Sequence, residues 1–309
     1  MRVSVALRPG QAMNEFDAIV IGGGPAGLTA ATYLRRFHRS CLVIDAGNSR
    51  AKRIPESHNC PGFPYGVSGV DLLGRMKRQA EGVGAQFRAD WVDAVAHRDE
   101  RFIVSGREGR WRARAVILAS GVQDELPEVD WIEEAIACGA VRLCAVCDAY
   151  EASDLRIGVY GQRARLASHA RFLRGYSEHV FVIPSDAHSA DEADDLAGLT
   201  VLAGGGELAF DGERCSYREP DGATTRLDTI YPYLGCVTNA PLAAAVGAEL
   251  SASGEIVVDA HQMTRVAGLY AIGDVVSGLN QISVAVGQAA IAATHVHNRL
   301  PAAIRAAQA

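Results

Sequence analysis

The chain has no run approaching the ~18 consecutive apolar residues that a membrane-spanning helix requires, so a membrane protein is not expected. Met1 to Ala12 lacks the long apolar core of a secretory leader and reads as a loose extension ahead of the fold. Positive charge is also short. Thirty Lys and Arg against thirty-six Asp and Glu leave a formal net charge of -6, which offers nucleic acid no attractive field. The seven cysteines (Cys41, Cys60, Cys138, Cys144, Cys147, Cys215, Cys236) are odd in number and irregularly spaced, which excludes a secreted disulfide framework and points to a reducing cytoplasm. Only one Cys-x-x-Cys is present, and no two histidines are separated by three to five residues, so the chain lacks the second half of a structural zinc site.

What is present centres on Cys144-Ala145-Val146-Cys147-Asp148. Two thiols at this spacing can close a small ring and pass two electrons through a thiolate that attacks a disulfide. The following carboxyl group can relay the proton that leaves one sulfur and later returns, provided burial lifts its pKa. The same spacing could supply two of four zinc ligands; with no second pair in the chain, a redox dithiol and no bound metal is the stronger reading.

At 309 residues the chain is long enough for two domains. The apolar run Asp17–Ile21 leads directly into Gly22-Gly23-Gly24-Pro25-Ala26-Gly27. A helix is expected over Leu28–Phe37 and a strand over Cys41–Ile44 that ends at Asp45. Strand, glycine turn, helix and an acid about 20 residues on together make a dinucleotide-binding unit. Gly22 permits the tight turn, Gly24 lets a pyrophosphate approach the backbone, Gly27 lets the helix sit close to its strand, and Asp45 accepts from a ribose diol.

Beyond Asp45 the chain is expected to form a polar loop to about Phe63, a helix over Asp71–Ala85, a strand and hairpin over Gln86–Ile103, and a strand over Arg112–Leu118 that stops at Ala119-Ser120-Gly121. Leu155–Gly161 opens a second strand-turn-helix unit, but its loop reads Gly161-Gln162-Arg163-Ala164-Arg165, with Arg163 where a second glycine would admit a phosphate. The next strand, Val180–Ile183, is followed by Asp186, Asp191, Glu192, Asp194 and Asp195, where a 2'-phosphate would need cations. Leu202–Ile230 reads as hairpins, and Tyr231–Asn239 as the return to the first domain. A strand is expected from Thr264 to Asp274 and a helix from Gln281 to Arg299, whose N-terminus would stabilise negative charge on a flavin pyrimidine. Near its end, His295 and His297 are expected to complement the helix dipole as imidazolium groups.

From Glu15 to Leu300 the sequence resembles the low-molecular-weight thioredoxin reductase family of flavoproteins. The motifs that carry the resemblance are Ile21–Gly27, Ala119–Gly121, Cys144–Asp148 and Gly273-Asp274 followed by Gln281, in that order. The resemblance implies an α/β fold of two nested dinucleotide-binding, Rossmann-like, three-layer domains. One would be a discontinuous FAD domain (14–123 and 237–309), the other an inserted domain (124–236) that carries the dithiol. It implies a homodimer in which Cys147 lies against the flavin, Cys144 meets substrate, and Asp148 is the acid-base residue. Gly22, Gly24, Pro25, Ala26, Gly27, Asp45, Ala46 and Arg50 would line FAD. So would Asn59, Ala119, Gly121, Gly273, Asp274, Gln281 and Ile282. In place of the family's glycine-glycine-glutamine stretch after the ribose acid stands Asn48-Ser49-Arg50.

The second domain lacks both the glycine-rich loop and the paired arginines of the members that use NADPH. The chain is therefore similar to the branch without nicotinamide, which includes dithiol oxidases that close disulfides in natural products. That similarity implies an FAD-dependent oxidase of a small-molecule dithiol with oxygen as acceptor. The alternative is a reductase of thioredoxin, driven by ferredoxin or by NADPH held at Arg163 and Arg165.

Overall fold

Short apolar strands alternating with small-residue helices give, in chain order, β1 (Glu15–Ile21), α1 (Pro25–Arg36), β2 (Cys41–Asp45), α2 (Gly69–Gly82), β3 (Gln86–Ala89), β4 (Val92–Arg98), β5 (Arg101–Gly106) and β6 (Arg110–Leu118). There follow β7 (Val122–Asp124), α3 (Ile132–Cys138), α4 (Ala145–Asp148), β8 (Ile157–Gly161), α5 (Leu166–Leu173), β9 (Val180–Pro184) and β10 (Thr200–Val201). The chain closes with β11 (Glu207–Phe210), β12 (Cys215–Arg218), β13 (Thr224–Leu227), β14 (Thr229–Tyr233), β15 (Cys236–Thr238), α6 (Pro241–Ala245), β16 (Leu269–Ala271) and α7 (Ile282–Arg299). This computed structural model describes residues 14–186 and 196–302. The acids Asp191, Glu192, Asp194 and Asp195, the N-terminal extension and most of the C-terminal tail lie outside the described residues.

The described residues divide into two units. The first holds the chain through Ser49, then Leu73–Val122, then all that follows Val237; the second holds Arg50–Leu72 and Gln123–Val237. Arg50–Leu72, assigned from sequence to the first domain, thus groups with the second. The reason is electrostatic as well as steric: Arg50 Nε pairs with Asp124 Oδ2 at 2.7 Å, and Arg53 Nη2 with Glu133 Oε1 at 2.7 Å.

In the first unit the sheet order is β3-β2-β1-β6-β5-β4. Strands β3, β2, β1 and β6 are parallel, β5 and β4 antiparallel. Strand β6 pairs with β5 along its first half and with β16, in parallel, at its end. The stretches Ala18–Ile21 of β1 and Cys41–Ile44 of β2 are covered on both faces and are apolar without interruption. Ile19, Ile21, Leu42 and Ile44 point into one core, and Ala18, Val20 and Val43 into the other. In that second core α7 presents Ala285, Ala289, Ala292, Ala293 and Val296, a single helical face of small side chains that packs closely against Ala26, Ala30 and Leu34 of α1.

The second unit contains a parallel sheet of order β10-β9-β8-β14. Helix α5 covers one face through Leu166, Ala170 and Leu173, and α4 joins the same core through Ala145 and Ala149. The other face carries α3 and the antiparallel meander β11-β12-β13. Each unit is therefore a three-layer, Rossmann-like arrangement.

Three expectations from sequence change here. Helix α1 starts at Pro25, not Leu28, because Pro25 stands at its first position, where no amide hydrogen bond is lost. Strand β16 is confined to Leu269–Ala271. Thr264–Leu269 instead closes on itself (Thr264 N to Leu269 O 2.9 Å, Leu269 N to Val266 O 3.0 Å), and Gly273–Val275 forms a 3₁₀ turn. Tyr231–Tyr233 continues β14 inside the second unit, so the return begins only at β15.

The C-terminus of α7 is neutralised differently from expectation. Burial, together with His261 and Arg299, lowers the pKa of His295, which exchanges a hydrogen bond with Tyr270 Oη at 3.1 Å and stacks on His261. A buried cation at this helix end is Arg39, 3 % exposed. It donates to His297 O (3.1 Å), Leu300 O (3.4 Å), Pro301 O (2.8 Å) and His297 Nδ1 (3.1 Å). It satisfies carbonyls that the end of the helix leaves unpaired. Replacing Arg39 by Met should destabilise the FAD-loaded protein by about 2–3 kcal/mol in urea unfolding, the scale for losing hydrogen bonds to a charged group. An unchanged midpoint would show that water replaces the guanidinium at no cost.

Candidate active site

The glycine turn is shaped by backbone approaches that no side chain tolerates. A Cβ on Gly22, whose φ is +111°, would lie 2.2 Å from Ala119 O, and one on Gly27 would lie 2.0 Å from Gly22 O. The first approach joins the turn to Ala119, and the second seats α1 on β1. Gly24 differs, because a Cβ there would meet only Ser49 Oγ at 3.3 Å, so packing within the chain leaves this position open. Gly24 is also the N-cap of α1, with no side-chain cap and no acid in the first turn. Uncapped amides at a helix N-terminus beside an open glycine fit the pyrophosphate of a dinucleotide.

Several other residues predicted for the cofactor gather around this turn. The Asp45 carboxylate at the end of β2 lies against Gly23, where a Cβ would come 2.5 Å from Asp45 Oδ2, and the exposed Ala46 follows. Gly273 sits close to both Ala26 and Ala285: a Cβ on it would be 3.1 Å and 3.8 Å from theirs. Asp274 follows in the 3₁₀ turn, while Gln281 is the N-cap of α7 and Ile282 its first residue. Gly121 has φ +63° and open space where a side chain would stand. Arg50 and Asn59 belong to the second unit, where Arg50 pairs with Asp124 and Asn59 Oδ1 accepts from Ser57 Oγ at 3.0 Å.

Sequence reasoning missed the residues that lock these turns. Ser120 Oγ donates to Asn239 O (2.7 Å), Asn239 Nδ2 donates to Ser120 O (3.0 Å), and Asn239 N donates to Gly121 O (3.0 Å). Gln288 Oε1 accepts from Gly273 N at 2.7 Å and so fixes the Gly273-Asp274 turn. Nothing local in the sequence marks these partners, which stand 119 and 15 residues apart.

In the second unit Cys144 and Cys147 form a disulfide across the short helix α4. Val146, between them, is 55 % exposed, and Ala145 and Ala149 anchor the helix in the core. Asp148 ends α4. Its Oδ2 lies 3.2 Å from Arg142 Nη1 and its Oδ1 accepts from Tyr231 Oη at 2.9 Å. Burial raises its pKa above the ordinary carboxylate value, although Arg142 and the Tyr231 hydrogen bond pull the other way. Burial, and then the Asp148 charge, raises the Tyr231 phenol, so it remains a donor. Arg142 and Tyr231 also escaped the sequence reading.

The second strand-turn-helix unit ends β8 at Gly161 and passes through a 3₁₀ turn, Arg163–Arg165, before α5. Asp186 Oδ1, beyond the end of β9, accepts from Arg163 N at 3.4 Å. At the carboxyl ends of the strands, where such folds bind nucleotides, the Tyr233 ring of β14 stacks on the His169 ring of α5, with centroids 3.6 Å apart and planes 12° apart.

Comparison with known proteins agrees with this geometry. The family described as Pyridine nucleotide-disulphide oxidoreductase matches residues 16–183 and 194–289. Thioredoxin reductase of Peptoclostridium litorale is 29 % identical over 305 residues, covering 91 % of this chain and 95 % of that one; thioredoxin reductase of Aquifex aeolicus is 28 % identical, covering 94 % and 93 %. The crystal structure of HlmI superposes with a TM-score of 0.85 at 27 % identity, covering 92 % of each chain. Since the family match spans both units and the dithiol helix alike, the chain belongs to the pyridine nucleotide-disulphide oxidoreductases, as a thioredoxin reductase-like FAD enzyme that exchanges electrons between thiols and a disulfide.

Proposed function

We propose that the enzyme is a dithiol oxidase that needs no nicotinamide cofactor, and that it closes a disulfide in a small molecule. The observation that carries this reading is the Tyr233–His169 stack at the strand ends of the second unit, where a pyridine nucleotide would otherwise lie. The 3₁₀ turn at Arg163–Arg165 supports it, since no glycine there opens the backbone to a phosphate, and Asp186 holds the Arg163 amide. Gly22, Gly24, Pro25, Ala26 and Gly27 would hold the FAD pyrophosphate and Asp45, with Ala46, its ribose. Ala119, Gly121, Gly273, Asp274, Gln281 and Ile282 would serve the flavin half, while Arg50 and Asn59 are the less supported members because they belong to the second unit.

Chemically, Asp148 takes the proton of one substrate thiol and the thiolate attacks Cys144 Sγ. The Cys144–Cys147 bond breaks and Cys147 leaves as a thiolate. The second substrate thiol gives up its proton to solvent and attacks the substrate sulfur of the mixed disulfide. The substrate leaves oxidised by two electrons, and Cys144 departs and is protonated by Asp148. Bound FAD would supply the two-electron acceptor through which Cys144 and Cys147 return to the disulfide, with oxygen as the final acceptor, reduced to hydrogen peroxide. The same reading includes a cytoplasmic homodimer, which size-exclusion chromatography tests.

The second reading is reduction of thioredoxin, favoured by the names of the relatives from Peptoclostridium litorale and Aquifex aeolicus. Oxygen uptake separates the two. The oxidase should turn over dithiothreitol under air at a rate indifferent to NADP+, and its flavin should stay oxidised in excess anaerobic NADPH. Rapid bleaching by NADPH, with reduction of thioredoxin, would establish the second reading. Cys147→Ser should lower dithiol turnover at least ~1,000-fold, the scale for losing an essential nucleophilic partner, with FAD retained. Gly24→Val should strip the flavin, read as lost visible absorbance, while circular dichroism is unchanged because only Ser49 Oγ lies nearby.

A further inference from the structure

The carboxylate of Asp148 is held from outside its own helix. The segment Ala140–Arg142 runs beside β14 as an added parallel strand: Val141 bridges Ile230, Ile230 N donates to Ala140 O, and Arg142 N donates to Ile230 O, both at 2.9 Å. This backbone pairing places Arg142 and Tyr231 next to each other, Tyr231 within β14 and Arg142 tied to it through its amide. Tyr231 is 1 % exposed and belongs to the same core as Ala145 and Ala149 of the dithiol helix. From there Arg142 Nη1 reaches one carboxylate oxygen at 3.2 Å and Tyr231 Oη donates to the other at 2.9 Å. Arg142 Nε is buried with no hydrogen-bond partner among the described residues, so this guanidinium forgoes one of its own donors to make the pair.

We propose that Arg142 and Tyr231 are positioning residues that clamp Asp148, orienting its carboxylate and keeping the ionised form available to take protons from thiols entering the Cys144–Cys147 couple. The proposal rests on the reading of Asp148 as the acid-base residue. The charged and titratable groups that face this carboxylate are Arg142 from the segment before α4, Tyr231 and Tyr233 from β14, and Glu151 beyond α4; His169 of α5 is stacked behind Tyr233. Burial and Glu151 favour the protonated acid, whereas Arg142 and Tyr231 oppose them. Loss of either clamp residue therefore moves ionisation to higher pH.

The test is the pH dependence of kcat/KM for dithiothreitol with the FAD-loaded enzyme, whose acidic limb reports the ionisation of the free enzyme. Arg142→Met should displace that limb upward by about one pH unit or more, the effect of losing an opposite charge at this range, with the alkaline plateau retained. Tyr231→Phe should displace it in the same direction by less, and Arg142→Lys should bring it most of the way back. Asp148→Asn serves as the control and should abolish the limb. If the limb survives in Asp148→Asn, the acid-base reading itself fails. If it vanishes there but keeps its wild-type position in both Arg142→Met and Tyr231→Phe, the clamp is overturned and the acid-base reading stands. Should Arg142→Met not accumulate as folded flavoprotein, Tyr231→Phe decides alone.

Discussion

The first unit depends on two backbone approaches in which a carbonyl oxygen stands where a Cβ would be, Ala119 O against Gly22 and Gly22 O against Gly27. They bring the end of β6 to the glycine turn and draw α1 down onto β1. That closeness leaves room only for small side chains in the layer above, which explains why α7 buries alanines against α1. The same tight stacking sets Gly273 between Ala26 and Ala285, so three turns from distant parts of the chain converge on one end of the sheet. The Ser120–Asn239 exchange and the Gln288 acceptor then hold those turns in place. Turns held in this way are preorganised, because their amides are fixed before any ligand arrives.

The second unit repeats the plan with a different filling. Its parallel strands end in register, Gly161 beside both Pro184 and Tyr233, as in a nucleotide-binding sheet. The Tyr233 and His169 rings stack at those strand ends, and the turn after β8 is a 3₁₀ turn bearing two arginines. A module can keep its fold while changing its ligand, since its sheet and α5 are held by Leu166, Ala170, Leu173 and the strands and not by the loop that meets the ligand. Strand β14 has meanwhile acquired a second role, because its Tyr231 supports the acid of the dithiol helix from beneath.

Charge is handled alike in both units, with an arginine facing oxygen acceptors in each. Arg39 closes the end of α7 through carbonyls, and Arg142 faces the Asp148 carboxylate. The expectation that an imidazolium group would serve the helix end fails at His295, because burial disfavours its charged form.

Steric demands and apolar periodicity are local properties, and so the sequence alone determined the glycine turn, the strand-turn-helix units, the Cys144–Cys147 pair and the absence of a second glycine after Gly161. Each of these follows from what a few consecutive residues can or cannot do with their own backbone. Boundaries set by competition with neighbours, such as the short β16 and the grouping of Arg50–Leu72, were not legible. Nor were the partners. Arg39 meets Pro301 across 262 residues, Ser120 meets Asn239 across 119, and Tyr231 meets Asp148 across 83. Only the tertiary structure decided these, because a side chain's hydrogen-bond partner is chosen by which strands become adjacent, and adjacency is a property of the folded sheet as a whole.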